Sequence, residues 1–102
     1  MRTHAIVWTS GEERWAGRLE LFADRFELVG RDRRLTVPFA DVANLSIERD
    51  RGARLLGMPV LVLNLRSGSP VRIAAFEGPG LLHSFAERIE QGRPAYGVDA
   101  GT

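Results

Sequence analysis

The chain has 102 residues, 44% hydrophobic and 26% charged, enough for one domain with its own core and too few for two. It contains no cysteine, which excludes disulfides, thiolate zinc sites, iron–sulfur clusters and thiol nucleophiles. Its 14 cations, all arginine, face 13 anions for a formal net charge of +1, so the basic excess of a nucleic-acid-binding domain is missing.

His4 to Thr9 reads as a first strand with weak alternation. Ala5 to Trp8 is too short for a signal-peptide core, and no stretch approaches the roughly 20 apolar residues of a membrane span, so the sequence reads as cytoplasmic. From Trp15 the period is two. Trp15, Gly17, Leu19 and Leu21 share one face, and Ala16, Arg18 and Glu20 the other, as in a half-buried strand. Ala23-Asp24 punctuates, and Phe26 and Leu28 then alternate with Arg25, Glu27 and Arg31, which predicts a hairpin. After the polar turn Arg31 to Arg34, the residues Leu35, Val37 and Phe39 form a further strand. Pro38 makes it short or places it at an edge, because proline gives up a ladder donor.

Asp41 turns the chain toward a strand carrying Leu45, Ile47 and Val42, with Ser46, Glu48 and Asp50 facing water. Arg49, Arg51 and Arg54, interleaved with Glu48 and Asp50, read as a solvated loop or a surface for an anionic partner. Pro59 to Leu65 is apolar on both faces, so something must cover it on each side. Val71, Ile73 and Ala75 make the last strand. The period then changes: Leu81, Leu82, Phe85, Ala86 and Ile89 recur at helical spacing, behind Gly78-Pro79 and ahead of Gly92 and Pro94. This predicts a helix over about 79–91, a domain over 1–92, and a tail over 93–102 that is loose unless Tyr96 and Val98 pin it to a groove.

Up to seven short antiparallel strands closed by one helix resemble the pleckstrin-homology-like superfold, which includes GRAM and bacterial PH-type domains. The segment Trp15-Ala-Gly-Arg-Leu-Glu-Leu-Phe-Ala-Asp-Arg-Phe-Glu-Leu is similar to the first hairpin of that group. Leu35-Thr-Val-Pro-Phe-Ala-Asp-Val is similar to its strand-ending segment, and Pro59 to Ala75 to its last hairpin. The resemblance spans roughly residues 4 to 91. It implies a mainly β fold, a seven-stranded bent sandwich or barrel capped by the C-terminal helix. It also implies a binding module rather than a particular activity.

Relatives that bind phosphoinositides hold the phosphate with basic residues near the first strands. At the corresponding end this chain has Ser10 to Arg14, Arg31 to Arg34 and Arg66 to Pro70, which makes Arg31, Arg33, Arg34 and Arg66 the candidate anion ligands. Glu12 and Glu13 stand where the family carries a basic pair, and like charge beside a phosphate works against it.

An enzyme is not expected. His4 and His83 are isolated, no metal-spaced cluster occurs, and neither Ser10 nor Ser84 has a nucleophile motif around it. Gly78-Pro79-Gly80 is too short for a phosphate loop. No catalytic residue, metal or cofactor is assigned. The function expected is protein–protein contact or self-association, with a lipid headgroup as the alternative ligand. The second face of Val60 to Leu65 is covered by the domain itself, by a partner or by a second copy. Trp8, Val60 and Val62 are the candidate partner-binding residues.

Overall fold

The structure, a computed structural model, describes residues 2–92. The expected tail, with Tyr96 and Val98, lies outside the described residues. Seven strands run in chain order: β1 (Arg2–Ser10), β2 (Glu13–Leu21), β3 (Arg25–Val29), β4 (Arg34–Pro38), β5 (Val42–Glu48), β6 (Val60–Leu65) and β7 (Val71–Ala75); a helix, α1 (Pro79–Gly92), follows. All pair antiparallel in one sheet of order β4-β3-β2-β1-β7-β6-β5, curled into a half-barrel. The predicted helix is off by one residue at its C-terminal end.

β1 joins the two halves. It pairs with β2 along its whole length and with β7 from Ile6 to Ser10. Ile6, Val7 and Trp8 are buried in succession, because Ile6 and Trp8 enter the inner core while Val7 enters a second cluster on the outer face. A strand covered on both sides has no polar face, which is why its alternation is weak in the sequence. The β1–β2 turn has two residues, and Gly11 supplies the φ of +63° that the first of them needs.

The inner core is filled from all seven strands and from Leu82, Phe85 and Ile89 of α1. Burying those three helix side chains stabilises the domain by roughly 5 kcal/mol before entropic losses. The helix lies over β5, β6, β7 and the short 3₁₀ turn at Phe39–Asp41. Phe26 stands at the centre, stacked near Phe39 at 6.2 Å and perpendicular to Phe85 at 5.0 Å. β4 is an edge strand with Pro38 as its last residue, and the next N–H, of Phe39, donates to the Asp24 carbonyl at 3.0 Å.

On the outer face of β2–β4 the register sets Glu20 directly opposite Glu27. Two carboxylates so placed repel. Arg34 of β4 bridges them, pairing with Glu27 and donating to Glu20 at 3.3 Å, while Arg18 Nε donates to the other Glu20 oxygen at 2.6 Å. Hydrogen bonding from Arg18, and then from Arg34, holds the Glu20 carboxyl below its ordinary value, although the residue is only 7% exposed and burial alone works the other way. A carboxyl lowered on folding stabilises the native state above its unfolded pKa of about 4.3, and that contribution is lost as pH falls through the folded value. Urea midpoints followed from neutral pH into acid are expected to fall less steeply below that range in Glu20→Gln than in the parent. Parallel acid limbs would remove Glu20 from the account.

Candidate functional site

The arginines of the hairpin loops do not converge. Arg34 is held by Glu20 and Glu27 on the outer face. Arg66 donates from Nε to the Ala40 carbonyl at 3.1 Å, beside the start of β5, and its own N–H donates to the Asp41 carbonyl. Arg33 lies over the Trp15 ring at 5.8 Å, and Arg31 is exposed. The β1–β2 and β6–β7 loops do meet, since a Cβ on Gly11 would touch the Ser69 hydroxyl at 3.7 Å. Of the four expected anion ligands, only Arg31 and Arg33 therefore remain on the loop end, with Glu12 and Glu13 on the neighbouring hairpin.

The candidate partner-binding residues are placed mostly inside. Trp8 is completely buried, stacked on Trp15 at 4.4 Å, and its Nε1–H donates to the Val29 carbonyl at 3.3 Å. Val60 is completely buried in the outer cluster with Val7, Ala74 and Leu55. Neither side chain reaches the surface. Only Val62 is partly exposed, packed at the edge of the same cluster. The cover over the second face of β6 is supplied by the chain itself. The β5–β6 loop folds back, and a tight turn closed by the Leu55–Met58 bridge lays Leu55 and Met58 on the strands. The two central residues of this turn are Leu56 at φ +51° and Gly57 at φ +79°. Glycine or asparagine suits such a position; leucine costs about 1 kcal/mol there.

A groove that no local motif announces lies between α1 and the β2–β3 turn. Its volume is about 450 Å³. Leu21, Phe22, Leu81 and Phe85 form apolar walls, and His4, Ser84 and Arg88 are its polar residues. Arg88 is fixed in place: it donates to the Phe22 carbonyl at 3.2 Å and lies over the Phe39 ring at 5.7 Å. His4 Nδ1 is 3.0 Å from the Glu77 carboxylate, while its Nε2 is buried without a partner. His83 is exposed and meets Arg49 at 3.1 Å. Among the described residues, no group of three or more His, Cys, Asp or Glu is placed to hold a metal, and no helix is long and apolar enough to cross a membrane.

No protein-family model matches the sequence, and no curated protein matches it. Solved structures do share the fold. The C-terminal domain of an unknown protein from Leishmania infantum superposes with a TM-score of 0.68 at 4% identity, over 87% of this chain and 82% of that one. The Vps36 N-terminal PH domain superposes with a TM-score of 0.66 at 15% identity, over 89% of this chain and 78% of that one. With the antiparallel half-barrel and its closing helix, these likenesses identify the chain as having the pleckstrin-homology-like fold.

Proposed function

We propose that the chain is a non-catalytic interaction module that receives an apolar side chain of a protein partner in the groove beside α1. The observation that carries this reading is the groove itself. It has the volume of a binding pocket, a mainly apolar lining, and two polar residues held by the fold, His4 and Arg88. A non-catalytic role is supported by the likeness to the Vps36 N-terminal PH domain, a fold generally used for binding rather than catalysis. The headgroup alternative rests on Arg31 and Arg33, beside two carboxylates, and is the weaker of the two readings.

Selection from a random peptide library tests the proposal. Peptides enriched on the parent protein are expected to carry an aromatic or aliphatic anchor. They should bind at least about tenfold more weakly to Leu81→Trp, which fills the groove from its rim. An Arg31→Glu/Arg33→Glu variant should hold them unchanged. The reading fails if the selected peptides ignore Leu81→Trp, if they depend on the two arginines, or if no groove-dependent peptide emerges.

A further inference from the structure

We infer that the outer face around Leu56 is a two-fold contact between two copies of this chain, an inference independent of the groove reading. Among the described residues, the exposed large hydrophobic side chains are Leu56, at 59%, and Phe76, at 54%. Single exposed apolar residues are ordinary, but each of these two lies within two residues in the chain of a member of one buried cluster. Leu56 is the tip of the turn whose flanking residues, Leu55 and Met58, lie on Val7, Val60 and Ala74. Phe76 follows Ala74 by two residues, and its N–H donates to the Ala5 carbonyl, which continues the ladder of β7 and keeps Phe76 on that outer face. The cluster is therefore closed in its middle and apolar at its rim.

The conformation of Leu56 is a second observation. A large apolar residue stands at positive φ, in a turn that asparagine or glycine would make without strain, and most of its surface faces solvent. Such a side chain has its use outside the molecule.

The charges decide the occupant. The stretch from the end of β5 to Leu56 carries Glu48, Arg49, Asp50, Arg51 and Arg54. An anionic bilayer favours one sign, and the two carboxylates work against it. Interleaved signs around an apolar centre are instead self-complementary: a two-fold axis can set the arginines of one copy against the carboxylates of the other while Leu56 and Phe76 of both copies meet in the middle.

Sedimentation equilibrium over a range of concentrations is the test. The mass is expected to rise from the 11.3 kDa of the monomer toward twice that value. Leu56→Gly should weaken the dimer about tenfold or more, while its own folding stability rises because the turn is relieved. Arg51→Glu should weaken the dimer, and Arg51→Glu with Asp50→Arg should restore it. A monomer at all concentrations overturns the inference, as does a dimer indifferent to Leu56→Gly. So does a monomer that binds vesicles of phosphatidylcholine with phosphatidylserine and loses them on Leu56→Gly, which would assign the face to lipid.

Discussion

Trp8→Ala is expected to lower folding stability by about 3–5 kcal/mol, the range for removing a large buried aromatic side chain. A domain of this size is stable by only about 5–15 kcal/mol, so the variant should be close to the unfolding threshold at physiological temperature. Three losses combine at the site. The ring is completely buried. It stacks on Trp15, its direct cross-strand partner, at 4.4 Å. Its Nε1–H satisfies the Val29 carbonyl at 3.3 Å, and truncation leaves that acceptor without this donor. Urea denaturation with near-ultraviolet circular dichroism reads both parts, since the paired-indole signal should vanish along with the stability. A loss under about 1 kcal/mol would mean that Trp8 is not the keystone of the β1–β2 pairing and that its ring is free for a partner.

Trp8 also shows where reading the sequence reaches its limit. A tryptophan next to a valine and an isoleucine carries no sign of which face it takes, because β1 is covered on both sides. Elsewhere the period of two was enough. Leu19, Phe26, Leu28, Val37, Ile73 and the helix stripe Leu82, Phe85 and Ile89 are all in the core where their spacing puts them. Five of the strands follow from that spacing and the helix from its own, while β1 and β6, covered on both faces, do not alternate. Through its arginines the β5–β6 loop reads as solvated or as a surface for an anionic partner. Its apolar residues Leu55 and Met58 instead fold back over β6 and supply the cover that the two-sided Val60–Leu65 segment demands.

The candidate sites were less visible, and for a different reason. Arg31, Arg33, Arg34 and Arg66 share a loop end in the topology, but ligand sites depend on where side chains point. Arg34 is taken by two glutamates that only the β2–β3 register brings opposite each other. Arg66 is taken by a carbonyl of the 3₁₀ turn. The groove joins His4, Leu21, Phe22 and α1, segments far apart in the chain and linked by no motif. Leu56 left one trace in the sequence, an apolar residue before a glycine inside a loop, and only the positive φ gives that trace its weight.

Gly17→Ala is expected to destabilise the domain by about 3 kcal/mol, the upper part of the range for overpacking. The cause is backbone against backbone. A Cβ on Gly17 would fall inside the Val29 carbonyl oxygen, with the carbonyl carbon at 2.8 Å and Gly30 Cα at 3.1 Å. That carbonyl cannot retreat freely, because it accepts from Trp8 Nε1 and belongs to the end of β3. Gly30 has no room to move the other way, since its own Cβ position lies 2.7 Å from the Trp15 ring. The two glycines therefore let the end of β3 approach its neighbour β2 closely, and the stacked tryptophans hold that contact.

Gly52→Ala is the control of opposite sign. Nothing lies within 4 Å of a Cβ at that position and its φ is not in the left-handed region, so alanine should fit. By restricting the unfolded chain it should stabilise the fold by about 0.4–1 kcal/mol. Urea midpoints of the two variants should fall on opposite sides of the parent. If both variants shift the same way, or if Gly17→Ala is neutral, the close approach of β2 and β3 is not what this sequence builds, and the cross-strand tryptophan pair must be held by something other than Gly17 and Gly30.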